Sequence, residues 1–164
     1  GELKGCRVIG SAGSPEKVAW LQELGFDETF DYRETDVREA LREGIDVYFD
    51  NVGGETLEVA LSALRQHGRV VACGAISQYN STEGIRGPAN YMSLLVNHAS
   101  MTGFLVFQYA SKYAEGARQM GEWVATGKLK AREDVESGIE RFPEVFRMLF
   151  EGTNDGKLVL GLRD

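Results

Sequence analysis

The chain of 164 residues is poor in the features that mark secreted and membrane proteins. Its only cysteines, Cys6 and Cys73, stand in or beside apolar runs rather than at a metal or redox spacing, so we expect buried, reduced thiols. The apolar runs are too short to cross a bilayer, and the opening Gly-Glu-Leu-Lys does not have the profile of a signal peptide. These absences predict a globular domain located in the cytoplasm.

Positive charge is also scarce. The chain has 18 lysines and arginines against 25 aspartates and glutamates, a net charge of −7, and it contains no basic block. This balance argues against a nucleic-acid partner. The 43% of hydrophobic residues is enough for a domain with a substantial core. If such an acidic protein binds an anionic cofactor, it has to concentrate positive charge locally.

The first half of the chain alternates apolar runs with helical patterns. The predicted strands are Arg7 to Ala12, Thr29 to Tyr32, Ile45 to Asp50 and Arg69 to Gly74. The intervening helices start near Ser14-Pro15, near Thr35 and before Leu57, and they are expected to end at Gly25, Gly44 and Gly68. Strands that alternate with short helices indicate an α/β fold with a parallel, doubly wound sheet of the Rossmann type.

The second half is less regular. A loop rich in Gly, Ser, Pro and Asn from Asn80 to Asn90 is long enough for a functional flap. The predicted elements after it are a short helix from Tyr91 to Asn97, a strand from Met101 to Phe107, a long helix from Tyr109 to Thr126, a helix from Phe142 to Phe150 and a strand from Lys157 to Leu162.

The glycine motif of dinucleotide folds is missing. G-x-G-x-x-G normally follows the first strand and holds the pyrophosphate on backbone amides and a helix N-terminus. Here Gly10-Ser-Ala-Gly13 has the wrong spacing for that motif.

Four stretches nevertheless carry a family resemblance over nearly the whole chain. They are Ala12-Gly-Ser-Pro-Glu-Lys17, Asp50-Asn-Val-Gly-Gly54, Cys73-Gly-Ala-Ile-Ser-Gln-Tyr79-Asn80 and Asn154-Asp-Gly-Lys157. In this order they resemble the zinc-free medium-chain dehydrogenases/reductases, in particular the NADPH-dependent alkenal/one double-bond reductases, which include prostaglandin, leukotriene B4 and curcumin enzymes. The resemblance implies an enzyme with NADP(H) as cofactor and no metal, acting on small enals or enones.

The resemblance also implies a domain division. In the family the glycine motif and the substrate-binding, GroES-like domain lie upstream, so we expect this chain to be a C-terminal piece of a longer enzyme. Residues 1–127 would be a partial NADP-binding domain, incomplete at its first strand and glycine loop, and residues 128–164 a segment that packs on the substrate domain. The absent first strand is central in the family, so we expect another segment to fill its place or the sheet to rearrange.

The loop after the first strand of this chain bears on cofactor choice. NAD-specific folds place a carboxylate there for the ribose 2′-hydroxyl, whereas Gly13 and Ser14 are small and Lys17 is cationic. A cation in the first helical turn opposes the helix dipole unless an anion binds. The resemblance assigns Lys17 and Tyr32 to the NADP phosphate, together with contacts from Gly13 and Ser14. A solvated surface lysine is the alternative.

Other cofactor contacts are also implied by the resemblance. They comprise Asn51 after the third strand, the run Cys73, Gly74, Ala75, Ile76 and Ser77 beside the nicotinamide, the wall Phe104, Leu105 and Val106, and Asn154 from the C-terminal segment. By themselves, the glycines after Asn51 are equally well explained by a tight turn, and Phe104 by core packing.

Tyr79 is the predicted catalytic residue. The family reaction transfers a hydride to the β-carbon of an unsaturated aldehyde or ketone, and negative charge develops on the carbonyl oxygen. A phenol aimed at that oxygen stabilises the transition state more than the ground state. The alternative is a turn tyrosine that anchors the loop beginning at Asn80.

Several residues are given structural roles. We expect His67 to lie at a helix C-terminus, His98 on the surface, and Trp20 and Trp123 in packing contacts. The acidic residues Glu133, Asp134 and Glu136 are typical of a solvated face.

Two further functions stay open. A quinone reductase of the same superfamily is one, although the Gly-Ala-Ile-Ser-x-Tyr run argues against it. A stand-alone nucleotide-binding or interaction module is the other. The predicted strand from Met101 to Phe107 would lie at a sheet edge, and exposed edges pair with other chains, so a homodimer is expected through it.

Overall fold

A computed structural model describes residues 2–162 of the chain. The elements that alternate in its first part are β1 (Ile9–Ala12), α1 (Pro15–Glu23), β2 (Glu28–Asp31), α2 (Val37–Ala40), β3 (Ile45–Asp50), α3 (Gly54–Ser62) and β4 (Leu64–Ala72). After them come α4 (Ser93–Val96), β5 (Ser100–Gly103), α5 (Tyr113–Ala125), β6 (Glu133–Ser137), α6 (Phe142–Glu151) and β7 (Lys157–Gly161). Short 3₁₀ segments cover Glu2–Lys4, Ile76–Gln78, Val106–Lys112 and Ile139–Arg141.

All strand pairs are parallel, which confirms the predicted α/β class. β1 pairs with β2, β3 with β4 and β4 with β5, while β6 and β7 form a separate pair. Within each sheet, the loops that follow the strands therefore emerge at the same edge. Between residues 2 and 162 no strand pairs with both β1 and β3, so the expected filling of that place does not occur and the main sheet is in two parts.

Local chemistry explains where the helices begin. Ser14 caps α1, since its Oγ accepts a hydrogen bond from the Lys17 N–H at 3.3 Å, and Pro15 occupies the first turn. Asp36 caps α2 through the Arg38 N–H at 2.8 Å. α2 spans only Val37–Ala40, so the predicted helix from Thr35 is shorter than expected.

The core lies around α3. One cluster joins Leu57, Leu61, Leu64 and Val70, and a second joins Leu41, Val59 and Ala60, with Ile9 and Ile45 packed against it. The side chain of Leu61 is fully buried. The i, i+3, i+4 spacing of Leu57, Ala60 and Leu61 predicted this inward face correctly.

Three predicted boundaries were wrong. Leu64 belongs to β4 rather than to the preceding helix, which places His67 within an irregular part of that strand. The strand predicted from Met101 to Phe107 ends at Gly103, because Val106–Lys112 form a 3₁₀ segment. The long helix predicted from Tyr109 begins instead at Tyr113.

The C-terminal elements are more exposed than the rest. In α6 only Val145 is buried, while Phe142, Phe146 and Phe150 form a row of ring contacts with centroids 5.5 and 5.2 Å apart. Three contacts tie this part of the chain to the first helix and its surroundings: Lys130 Nζ donates to the Glu23 carbonyl at 3.3 Å, Lys17 Nζ to the Gly152 carbonyl at 2.6 Å, and the Arg132 guanidinium lies 5.0 Å from the Trp20 ring centroid.

Candidate cofactor and enone site

The turns after β3 and β4 are joined into one unit. The Asp50 carbonyl accepts hydrogen bonds from the Cys73 and Gly74 N–H groups at 2.8 and 3.1 Å, and the Asn51 carbonyl accepts one from Ile76 N–H at 3.0 Å. Ser77 completes the connection, because its N–H and Oγ both donate to the Val52 carbonyl, at 3.2 and 2.6 Å. These bonds hold Asn51 and the Cys73 to Ser77 run in a fixed mutual position.

A buried carboxylate stabilises the turn after β3. Asp50 is 1% exposed, and its Oδ1 accepts the N–H groups of Val52 and Gly53, each at 2.9 Å. Tyr48 also hydrogen-bonds to Asp50; burial first, and then the negative charge of Asp50, raises the pKa of its phenol well above the ordinary value. Neither Tyr48 nor Asp50 was predicted from the sequence to have a role at the site. A strand that ends in Asp before a double glycine is the signal that could have found the turn acceptor.

Glycine is required inside this turn. Gly53 has φ +67° and ψ −159°, a combination that side chains rarely adopt, and a Cβ placed there would lie 2.9 Å from the Ala75 Cβ. At Gly74 a Cβ would lie 2.9 Å from the Tyr79 hydroxyl oxygen. The two glycines therefore let the backbones of neighbouring turns approach closely.

Tyr79 lies at the mouth of an apolar cavity. The cavity has a volume of about 430 Å³ and is lined by Gly74, Ala75, Tyr79, Ile85, Phe104 and Gln108 among others. The Tyr79 hydroxyl oxygen accepts the Ala75 N–H at 3.1 Å, which leaves the phenolic proton available for donation. The ring is 59% exposed, so a small molecule in the cavity can reach the hydroxyl.

The loop that starts at Asn80 is fixed to the same unit. Gln78 Nε2 donates to the Arg86 carbonyl at 3.2 Å, and the Arg86 N–H donates to Gln78 Oε1 at 2.8 Å. This pair of bonds brings Ile85 to the cavity wall. Gln78 was not predicted as a site residue, and it positions the flap rather than contacting the cavity.

The wall predicted from Phe104 to Val106 is only partly present. Phe104 and Leu105 line the cavity, and the Phe104 ring packs between Phe49 and Tyr109 at centroid distances of 5.9 and 5.1 Å. Phe104 thus packs against neighbouring rings and also borders the cavity, while its contact with the cofactor stays a prediction. Val106 lies in the 3₁₀ segment after the strand and is not among the lining residues.

A second group of polar residues follows β1 and β2. A Cβ on Gly13 would lie 2.6 Å from the Tyr32 hydroxyl oxygen and 3.2 Å from Arg33 Nε, so both side chains close over the turn at Gly13. Lys17 lies one helical turn further on. Lys17 and Tyr32 were predicted from the sequence and Arg33 was not, although a cation just after β2 was a visible signal in an acidic chain.

The C-terminal segment reaches this second group. Lys17 Nζ donates to the carbonyl of Gly152, the residue that ends α6, and Asn154 follows two positions later. The Asn154 side chain donates to the Gly156 carbonyl at 2.9 Å, so part of its polarity is used to form the local turn. Lys17 is therefore engaged in a tertiary contact at the surface, and its contact with the NADP phosphate stays a prediction.

The cysteines differ from expectation. Cys6 and Cys73 are unpaired, and both are exposed rather than buried. Cys73 is exposed because it lies beyond the end of β4, in the turn that borders the cavity. The apolar run before it ends one residue earlier, at Ala72.

Two other observations limit the choice of site. A larger cavity of about 620 Å³ lies between α2 and α3 beside Arg38 and Arg65, away from the loops that follow the strands.

Among the described residues no group of three or more His, Cys, Asp or Glu side chains could hold a metal ion, and no helix could span a membrane.

Comparison with known proteins gives consistent matches. Residues 2–125 match the family described as zinc-binding dehydrogenase. The chain is 39% identical over 165 residues to prostaglandin reductase 1 of Bos taurus, covering 97% of this chain and 50% of that protein. It is 42% identical over 167 residues to the NADP⁺-dependent 2-alkenal reductase of Nicotiana tabacum, covering 97% and 48%.

A solved structure gives the same result. The crystal structure of CurA from Vibrio vulnificus in complex with NADPH matches with a TM-score of 0.89 and 40% identity, covering all of this chain and 52% of that one. The chain spans about half the length of the curated relatives it matches.

Proposed function

The chain belongs to the zinc-binding dehydrogenase family, and from that membership we propose that it supplies the NADPH-binding part of a reductase that acts on α,β-unsaturated aldehydes or ketones. The relatives named for NADP-dependent alkenal and prostaglandin reduction support this choice. The main structural support is the Tyr79 hydroxyl, which accepts a hydrogen bond from the Ala75 N–H and has its own proton available beside an apolar cavity.

The cofactor fits the residues at both groups of turns. Gly13, Gly53 and Gly74 let neighbouring chain segments pack closely beyond the ends of β1, β3 and β4, and a dinucleotide would bind at this edge of a parallel sheet. The phosphate side of the cofactor would be held by residues after β1 and β2, namely Gly13, Ser14, Lys17, Tyr32 and Arg33. Contacts with the rest of the cofactor, including the nicotinamide half, are proposed for these residues: Asn51, Cys73 to Ser77, Phe104, Leu105, Val106 and Asn154. Ile76 and Ser77 would contribute backbone, because Ser77 Oγ already donates to the Val52 carbonyl.

Bound NADPH would supply the hydride that reduces the carbon–carbon double bond. The residues of this chain do the rest. The Tyr79 hydroxyl donates a hydrogen bond to the carbonyl oxygen of the substrate, where negative charge grows in the transition state. Ile85 and Phe104 provide apolar surface on the wall of the cavity beside this hydroxyl.

The division of the chain is also part of the proposal. Residues 1–127 form the partial NADP-binding domain, and residues 128–164 form the segment that contacts a substrate domain. The separate β6–β7 sheet and the exposed phenylalanines of α6 support this division. A cytoplasmic location is proposed as well, since both cysteines are unpaired and exposed.

A homodimer through β5 completes the proposal. β5 pairs with β4 on one side, and all four of its residues are exposed. Light scattering of the enzyme is expected to give twice the monomer mass. Met101→Pro is expected to lower it, because backbone N–H groups alternate in direction along a strand and the Met101 N–H lies on the side of β5 opposite to the Phe104 N–H, which donates to the Ala72 carbonyl of β4. An unchanged dimer in that variant would place the interface elsewhere.

Tyr79→Phe tests the function in a reductase that carries this chain. Loss of one oxyanion donor is expected to lower kcat roughly 10²–10³-fold with a simple alkenone, while NADPH affinity changes little. The 164-residue chain by itself is expected to have little or no activity, because the substrate is poorly positioned. Unchanged turnover would leave Tyr79 with a structural role, and faster reduction of quinones than of enones would favour the quinone reductase. Nucleotide binding without reduction of either would favour the stand-alone module.

A further inference from the structure

Both histidines of the chain lie side by side, although they are 31 positions apart. The ring centroids of His67 and His98 are 6.0 Å apart with an interplanar angle of 63°. Both side chains are exposed. The pair lies at the amino ends of the paired stretches of β4 and β5, so it is at the opposite edge of the sheet from Tyr79.

The strand irregularity puts His67 in this place. Between the pairs Ile45–Leu64 and Val47–Arg69, β3 advances by two residues and β4 by five. The extra residues of β4 form a bulge, and bulges redirect side chains. The His67 N–H donates to the Asn97 carbonyl at 2.8 Å, and Gln66 Nε2 donates to the Val96 carbonyl at 3.4 Å, which connects the bulge to the turn that carries His98.

The backbone at both positions is unusual. His67 has φ 63° and His98 has φ 48°, and no other non-glycine residue in the described part of the chain has a positive φ. His98 follows the last residues of α4, where its N–H donates to the Leu95 carbonyl at 3.2 Å; glycine or asparagine is usual at such a helix end. Left-handed backbone in non-glycine residues is often found at functional positions.

We propose that His67 and His98 together bind one divalent transition-metal ion of the Ni²⁺, Cu²⁺ and Zn²⁺ class, with water completing the coordination. Imidazole nitrogen suits these ions and binds zinc at about 2.0–2.1 Å. Two exposed rings that already touch can turn toward a shared ion without a change in the backbone. The ion would fasten the β4 bulge to the α4–β5 turn, at the edge remote from the proposed cofactor site.

Calorimetric titration with NiCl₂ tests the site, in a Cys6→Ser, Cys73→Ser background that removes the exposed thiols. One ion per chain is expected. His67→Asn and His98→Asn keep a residue that tolerates left-handed backbone, and each is expected to weaken binding by about 10²-fold, because the second ligand acts at high effective concentration. Gln66→Ala is the matched control, since it removes a contact between the two turns but no imidazole, and it should bind Ni²⁺ like the parent.

Several results would overturn the proposal. Two equivalents of Ni²⁺ with weak, independent affinities would mean that the histidines do not share an ion. Unchanged binding in either histidine variant would place the ion elsewhere, and Ni²⁺-dependent association of chains would assign it to an intermolecular contact. Melting curves give a second readout: Ni²⁺ should raise the Tm of the parent and of Gln66→Ala, but not that of the double histidine variant.

Discussion

The turn after β3 and the turn after β1 each follow a parallel strand, but they are stabilised differently. The first is internal: Asp50 is buried, two backbone amides bond to it, and Ser77 joins it to the neighbouring turn. The second is open, and charged or polar side chains, Lys17, Tyr32 and Arg33, gather around Gly13. The first turn is thus fixed by hydrogen bonds to a buried carboxylate, whereas the second is bordered by Tyr32 and Arg33 side chains that reach solvent.

The largest difference should come from removing Asp50, which ends β3, and Asp31, which ends β2 beside the turn after β1. Asp50→Ala leaves two buried N–H groups without an acceptor, so we expect a loss of about 3 kcal/mol in the free energy of unfolding. Asp31 ends β2, is only half-buried and accepts one N–H, from Arg33 at 2.9 Å, so Asp31→Ala should cost about 1 kcal/mol. Urea denaturation of the two variants measures both. Equal losses would show that burial of Asp50 does not distinguish the turns.

Cofactor selectivity should depend on the open turn. In the proposed reductase, Lys17→Met is expected to weaken NADPH binding by about 1.5–3 kcal/mol, because a charge-assisted hydrogen bond to the 2′-phosphate would be lost. Arg33→Met should have a smaller effect of the same sign. NADH, which lacks that phosphate, should bind to all variants alike, as calorimetry can check.

The Lys17 substitution needs a control, because Lys17 Nζ also bonds to the Gly152 carbonyl. Lys17→Arg keeps the charge, and Lys128→Met removes an exposed lysine away from both turns. If NADH binding falls as much as NADPH binding in Lys17→Met, the lysine supports the fold and not the phosphate.

Glycine substitutions compare the two turns directly. Gly53→Ala should cost about 1–3 kcal/mol, because its backbone lies in a region essentially restricted to glycine and its Cβ would meet Ala75. Gly13→Ala should cost less than about 1 kcal/mol, since its Cβ meets the end of the exposed Tyr32 side chain, which can rotate away. Thermal denaturation gives the ranking, and a larger loss for Gly13→Ala would reverse the comparison.

The smallest effect concerns alkaline pH. Burial, together with Asp50, raises the pKa of Tyr48 above its ordinary value near 10, so the folded state retains the phenolic proton. The contribution of protonated Tyr48 to the free energy of unfolding is complete below about pH 10, the pKa of an unfolded tyrosine. It is lost as the pH rises toward the higher pKa of Tyr48 in the folded state. The urea midpoint of the parent should therefore fall as the pH rises above 10, and that of Tyr48→Phe should fall less. An identical decline in both proteins would exclude Tyr48 as the cause.

Part of the site was predictable because strand ends are visible in a sequence. β3 was predicted at its observed limits, Ile45–Asp50, since its apolar run is bounded by Gly44 and by the Asn-Val-Gly-Gly turn. Tyr79 and Lys17 were found through motifs that follow such strands. Arg33 and Gln78 were missed, because their partners are distant in sequence or are backbone groups that no side-chain pattern reveals. Tyr48 was missed because its burial depends on packing against the core clusters around α3.

The sequence by itself determined the α/β class, the order of the elements and the inward face of α3, because these depend on local periodicity and on turn residues. Only the tertiary structure decided that Asp50 is buried with its acceptor sites filled, that Lys17 contacts the end of α6, and that His67 meets His98. It also decided that Cys73 is exposed and that the strand after α4 ends at Gly103. These outcomes depend on contacts between segments far apart in the chain, whose free energies exceed the weak local preferences of single residues.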